Sequence, residues 1–516
     1  MEPPLNNTKF NLDVSGIVGF LGGGEAISAM ESMHFYKYRK WLSWYNSPGS
    51  YDIAKHYGRL ARSRIWDGIY PGPNEEPAEL LGLDGEQGPP YRGVVSGTTL
   101  NDTGHVGYVF AQYCRNAKAT PSQYSSDPIF TTQTTDDQGP KPQQRKRKTK
   151  VMNVVVVDFD NVEDNDDSVE KGSHLTLDSK EFPFWSVAVA SIPISLNIAY
   201  CILCGFYTEW YAFGVILYGI LCNGIACYFI GSTEIYLTHT IPSPHSPPGN
   251  GILACKSDTL IVCRGSERAI NHVVKAKFVV RYGKEGDDQT YHMIGFSAMS
   301  LTIQFIAQLF LIPLSGLFGQ IMFLSTLAIS WIYNAYLSSI DKGRLQQQLL
   351  ERHLFGDDSN NMTKLELPTR TSAVVFAMLC GLPDLRGDPD ANVECAKGIM
   401  CHLLPTDTKV WGRWHYSVCS KVRDLSERHS SGSVRPTSEP FRFTEDACQG
   451  FDGKDKSLLC DLLEDARGAT SPIVSFSIRP GTPQTRTHNL APGLLSCIRM
   501  CRHLSWTNSA PIVTLL

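Results

Sequence analysis

The chain has 516 residues, 47 Lys plus Arg against 51 Asp plus Glu, a net charge of −4 and a mean hydropathy of −0.15. These averages resemble a soluble protein, yet they hide about 85 residues of apolar span inside a polar chain, so position carries more than composition. The 15 cysteines are odd in number and follow no repeating frame, which excludes a dense extracellular disulfide scaffold and points to reduced thiols.

Residues 1–117 form a weakly patterned N-terminal region. The start, Met1-Glu2-Pro3-Pro4, has no basic stretch, and the apolar run at 14–21 is short and broken by glycine. The first true span is therefore expected to serve as the targeting signal. The aromatic and basic run MESMHFYKYRKWLSWY at 30–45 suits either a short amphipathic helix against a membrane or partner, or a small packed helix. The glycines at 16–24 lack the G-x-G-x-x-G spacing of a phosphate cradle. Residues 118–181 read as a disordered linker. Within it lies a basic cluster, RKRKTK at 145–150. That cluster suits anionic lipid headgroups at about 1 kcal/mol per charge, or simple solvation. VVVVDFD at 154–160 resembles a buried strand ending in two aspartates. A metal role for them needs a doubly wound domain, and the acidic run at 161–170 follows instead.

Four apolar stretches come next, read as two hairpins at 182–230 and 293–337. Both arms of the second lack Asp, Glu, Lys, Arg and His. About twenty such residues are what a helix needs to cross a hydrocarbon core of roughly 30 Å. Pro193 kinks the first span, a defect that neighbouring helices tolerate. Trp185, Trp210, Tyr211 and Tyr228 sit near span ends, where amphipathic rings favour the interface. Gly214, Gly219 and Gly224 are spaced by five, which rotates them around the helix and gives no GxxxG seam. Gln304, Gln308, Gln320 and Asn334 are the natural interhelical hydrogen-bond formers, each contributing about 0.6–2 kcal/mol. The alternative, a polar pore lining, has few polar groups to carry a solute.

Charge sets the orientation. No Lys or Arg occurs at 182–255 or 285–341, whereas Lys256, Arg264, Arg268, Lys275, Lys277, Arg281 and Lys284 lie between spans two and three. Lys171 and Lys180 precede the spans, and Lys342, Arg344 and Arg352 follow them. Four passes put all of these on one side, which the positive-inside bias makes cytosolic. The N-terminus, the central insert and the C-terminus are then cytosolic, and the sequons at Asn6, Asn101 and Asn361 stay unglycosylated. The organelle is open.

The insert, 231–292, reads as a small α+β unit. LIVC at 260–263 and FVVRY at 278–282 read as strands, with a helix capped near Ser266 and faced by Ala269, Ile270, Val273 and Val274. Its folded part, which follows Gly249, has about 45 residues, too few to be stable alone, and is expected to pack on the helices. Lys275, Lys277 and Arg281 are candidate lipid-headgroup contacts, with surface solvation as the alternative.

Residues 338–427 read as a cytosolic helical region. The pattern Leu345, Leu349, Leu350, Leu354 continues span four, and SAVVFAMLC at 372–380 is too short to cross. Residues 407–425 carry Val410, Trp411, Trp414, Val418 and Val422 on one stripe. That stripe suits either a helix lying on the membrane or one packed on a helix at 390–404. Cys401, His402, His415 and Cys419 match no strong zinc spacing. Residues 428–516, rich in Ser, Pro, Arg and Thr, read as a disordered tail.

From 249 to 341, through PPGNGILAC, RGSERAINHVVKAKFVVRYG, LTIQFIAQLFLIP and LFGQIMFLSTLAISWIYNAYLSSID, the chain resembles uncharacterised multi-pass membrane proteins of fungi. A looser echo is LLPTDTKVWGRW at 403–414. The resemblance implies the architecture and a fungal source, and no activity, metal or cofactor.

The fold expected is an α-helical membrane protein: four transmembrane helices as two hairpins, a small cytosolic α+β insert and disordered termini. Three functions compete. The first is a non-enzymatic scaffold or sensor whose partners are the lipid bilayer, anionic lipids and cytosolic proteins. The second is an oligomeric channel or transporter, built as a homo-oligomer, although no span carries an ionisable group. The third is a membrane-embedded enzyme, although Glu234, His239, His245 and His292 are scattered and no hydrolase elbow, HExxH or P-loop is present. No nucleic-acid partner and no catalytic, metal or cofactor residue is expected.

Overall fold

The computed structural model describes residues 22–118 (less 37, 62–63 and 73–75), 151–159, 173–175, 184–282 (less 239, 244 and 257), 288–356, 361–382, 388–430 and 441–470. The basic cluster at 145–150, the acidic run, Asp160, Asn6 and the tail beyond 470 lie outside them.

The N-terminal region is built of short elements: α1 (Gly23–Glu31), α2 (Ser50–Gly58), α3 (Arg64–Ile69), α4 (Pro77–Leu80), β1 (Tyr91–Gly93), β2 (Thr99–Leu100) and α5 (Gly104–Asn116). Two single turns of 3-10 helix, Ser32–His34 and Arg39–Trp41, separate α1 from α2. Then come β3 (Met152–Asp158), β4 (Ser173–Leu175) and two long apolar helices, α6 (Phe184–Phe206) and α7 (Trp210–Ile230). The next stretch holds β5 (Thr233–Thr238), β6 (Gly251–Ala254), β7 (Thr259–Arg264), α8 (Glu267–Val274) and β8 (Lys277–Tyr282). The second pair of long helices is α9 (Asp288–Leu311) and α10 (Leu317–Ser338), followed by α11 (Lys342–Phe355), β9 (Met362–Leu367) and α12 (Arg370–Gly381). Three helices close the described chain: α13 (Pro389–Leu403), α14 (Lys409–Ser430) and α15 (Gly453–Gly468).

Four of these helices, α6, α7, α9 and α10, are long and apolar enough to cross a membrane. Their outward residues include Ile192, Phe206, Ile225, Phe310 and Ile332, all exposed apolar side chains.

The elements expected between spans two and three are present. Ser266 caps α8 by accepting from the Ala269 N–H, and Ala269, Ile270, Val273 and Val274 are buried. Their setting differs from an independent insert. A six-stranded sheet runs in the order β2-β1-β6-β7-β3-β9 and recruits strands from the N-terminal region, the linker and the segment after α11. β3 pairs parallel to β7, with Val154 opposite Leu260, and antiparallel to β9. The valine run therefore sits inside a sheet covered on both faces, the setting that favours unbroken apolar strands. Val155 and Val157 face one core with Leu253, Ile261 and Cys263; Val154 and Val156 face the other with Ile252 and Val262. The linker reading of 118–181 is thus corrected at β3 and β4. A second sheet runs in the order β4-β5-β8, and its central strand β5 starts three residues after α7 ends.

The two faces carry different helices. α5, α8, α11 and the ends of α7 and α9 share one core with the N-terminal helices. The other face is covered by α12, α13, α14 and α15. α12 is a helix capped by a Thr369–Ser372 box, buried along most of its length. Two further expectations are corrected, and one open alternative is decided. α11 does not continue α10: the chain breaks at 339–341, and the Asp341 side chain caps a new helix by accepting from the Arg344 N–H. Of the two settings open to the stripe on α14, packing in protein is the one observed: α14 lies on α13, with Trp414 fully enclosed and its Nε1 donating to the Leu462 carbonyl at 2.9 Å. The tail is folded at 441–470, where Leu459, Leu462, Leu463 and Ala466 of α15 join that core.

His34 ties the N-terminal region to the small sheet. It is 5% exposed and its Nδ1 hydrogen-bonds the Thr233 hydroxyl. Burial lowers its pKa to about 3. The folded state thus favours the neutral ring, and the stability this gives is present above pH 6.5 and lost as pH falls towards 3. At pH 5 the loss is about 2 kcal/mol. The melting temperature should therefore fall between pH 7 and pH 5, and His34→Gln should flatten that slope; an unchanged slope would contradict a buried neutral ring.

Candidate functional site: a polar loop among four apolar helices

Residues 41–50, WLSWYNSPGS, contain no charged side chain. They are far too short to span a bilayer, yet they lie inside the bundle. α1 packs on α10 and α2 on α9, while the turn Arg39–Trp41 sits on α7. The loop from Leu42 to Pro48 passes between them.

Its centre is Asn46, fully buried. The Asn46 backbone N–H donates to Asn197 Oδ1 of α6 at 3.1 Å. Its Nδ2 donates to Thr326 Oγ1 of α10 at 3.1 Å. Its Oδ1 accepts from Gln304 Nε2 at 3.2 Å and Gln308 Nε2 at 3.3 Å, both on α9. The fourth helix contributes an absence of side chain. A Cβ on Gly219 of α7 would stand 2.1 Å from Asn46 Oδ1, and one on Gly224 would stand 2.3 Å from the Trp44 ring. Asn197, Gly219, Thr326 and Gln304 all lie well inside their helices, so one residue, through its side chain and backbone N–H, gathers contacts from all four.

The neighbours of Asn46 extend the network. Tyr45 Oη donates to Asn334 Oδ1 at 2.8 Å, and Asn334 Nδ2 donates to Ser47 Oγ at 3.0 Å. Asn223 Nδ2 donates to the Ser43 carbonyl at 2.8 Å. Asn197 Nδ2 donates to the Pro193 carbonyl and to Ser330 Oγ. Non-helical backbone at such depth is tolerated where protein surrounds it and its polar groups find partners. The loop entrance is fixed by Trp41, whose ring lies 4.9 Å from that of Tyr228, and by Lys40, which donates to Ser232 Oγ at 3.3 Å. At the far end, Glu209 Oε2 accepts from the Gly316 N–H at 2.9 Å and ties the turn after α6 to the turn before α10.

Gln304, Gln308 and Asn334 thus bond to the inserted loop, a segment that their spacing could not reveal. Gln320 donates to the Ser315 carbonyl of its own turn at 3.1 Å. Lys275 pairs with Glu267 at 3.5 Å, Lys277 is exposed, and the Arg281 guanidinium lies 5.4 Å from the Tyr236 ring centroid. Asp158 pairs with Arg264 at 3.3 Å where β3 and β7 end together. Cys401, His415 and Cys419 line an open cavity of about 440 Å³ between α13 and α14, where His415 Nε2 meets the Pro405 carbonyl at 3.3 Å. Among the described residues no three His, Cys, Asp or Glu side chains form a metal set. The network around Asn46 is made of neutral amides and hydroxyls, suited to fixing helices against one another and not to moving protons.

Sequence reasoning missed Ser43, Tyr45, Asn46 and Ser47. The available signal was the uncharged, aromatic-flanked run ending in Ser47-Pro48-Gly49, where Gly49 adopts φ +71° and lies against Gly23. Compared with protein-family models, with curated proteins and with solved structures, the chain shows no match.

Proposed function

We propose that this protein is a non-enzymatic membrane scaffold: two transmembrane hairpins, α6–α7 and α9–α10, locked from within by the N-terminal loop and carrying a cytosolic α/β platform. The observation that supports it is Asn46, which occupies the axis a solute would otherwise use and turns the amides of α6 and α9 onto protein. The absence of Lys and Arg from 182–255 and 285–341 supports turns on the far side and polar elements in the cytosol. The helix faces suit lipid, and the platform suits cytosolic proteins. Lys277 and Arg281 lie on the side of β8 opposite its buried Phe278, Val280 and Tyr282, where anionic headgroups are their partners in this reading. The fungal resemblance at 249–341 fits the same architecture.

Reconstitution tests it. Purified protein in liposomes should release neither a trapped small dye nor potassium above the empty-vesicle rate, and cysteines placed at 207 and at the exposed position 314 should react with impermeant maleimide only from the non-cytosolic side. Protein-dependent flux would favour the oligomeric channel and overturn the scaffold reading.

A further inference from the structure

The C-terminal face holds a pair of thiols in contact. Cys448 ends the single turn Glu445–Cys448 and is 6% exposed; Cys460 lies on α15, half-buried against the same core. Their sulfurs are 3.0 Å apart. Each is held by its own packing. The turn is anchored by Arg413, whose Nε donates to the Ala447 carbonyl at 3.3 Å, and α15 is anchored by buried Leu459, Leu462 and Leu463. A disulfide has its sulfurs about 2.05 Å apart, so closing the bond needs an approach of only about 1 Å.

We propose that Cys448 and Cys460 are a reversible oxidation site, a covalent clasp between the turn and α15. Each thiol gives up its proton and the pair loses two electrons as the S–S bond forms. Oxidised glutathione accepts both and leaves as two molecules of reduced glutathione, through a mixed disulfide on one of the cysteines. The closed bond joins residues twelve apart and holds α15 over α12 and α14; reduction leaves it held by packing and by non-covalent contacts such as the Trp414–Leu462 hydrogen bond. Burial, then the neighbouring Cys460, pushes Cys448 up to about 11. The Cys448 thiolate is therefore scarce at neutral pH, and closure should speed up as pH rises from 7.

The full chain in nanodiscs is equilibrated with glutathione buffers of rising oxidised fraction, quenched in acid, alkylated and digested. Trypsin cuts at Lys454 and Lys456, between the two cysteines, so a closed clasp leaves two peptides joined until dithiothreitol parts them. The expected result is a Cys448–Cys460 cross-linked peptide that grows with the oxidised fraction, forms faster at pH 8.5 than at pH 7, and slows amide exchange in α15 by roughly 100-fold. Cys460→Ser should abolish it. Complete alkylation of both cysteines in fully oxidised buffer, stable separate glutathione adducts, or linkage of either to another cysteine would each overturn the proposal.

Discussion

Asn46→Leu is expected to cost about 2–5 kcal/mol, the largest effect of any single change in the bundle, because it strips partners from buried groups it does not itself remove. Gln304 and Gln308 lose their acceptor, and Thr326 loses a donor. All three are buried, so water cannot replace what is lost. The asymmetry between breaking one partner and removing both gives a control. The triple variant Asn46→Leu, Gln304→Leu, Gln308→Leu should regain more than half of the stability lost by the single variant. Thermal unfolding in nanodiscs measures both. A single variant within 0.5 kcal/mol of the parent would mean that the loop is not seated between the helices.

The second large effect lies on the opposite face of the sheet. Trp414 is fully buried among Val418, Val422, Phe441 and Leu462, and its Nε1 donates to the Leu462 carbonyl. Trp414→Ala leaves a cavity, while the Leu462 carbonyl keeps its intrahelical partner, and the change is expected to cost about 3–5 kcal/mol. The loss should be local. Amide exchange in α15 should approach that of an open helix while α6, α7, α9 and α10 stay protected, since their cores share no residue with this one. Uniform loss of protection across all helices would show that the two regions unfold as one.

What could be read from the sequence follows from periodicity and length. The four long helices were legible because their apolar runs are uninterrupted, and α8 because Ser266 and four apolar positions repeat at helical spacing. The valine run of β3 was legible as a strand but not as a partner of β7 and β9, since pairing over a hundred residues or more leaves no local mark. The site was hidden for a related reason. Asn46 is an ordinary residue in an ordinary loop until Asn197, Gln304, Gln308 and Thr326 surround it. The amides on α9 announced that something polar lay between the helices; only the three-dimensional arrangement identifies it as the N-terminal loop. The stripe on α14 was ambiguous because a face buried against lipid and one buried against α15 look alike in sequence.

The loop that Asn46 centres is synthesised long before its surroundings. Its hydrogen-bond partners on the helices lie between 151 and 289 residues downstream. At ribosomal speeds of about 5–20 residues per second, the last of them follows after roughly 15–60 s. During that interval the aromatic segment must wait outside its site, and the helices must enter the lipid without their keystone. Assembly therefore ends with the earliest-made part of the chain, and a nascent protein arrested before α10 would hold an unplugged bundle open to capture by quality-control machinery.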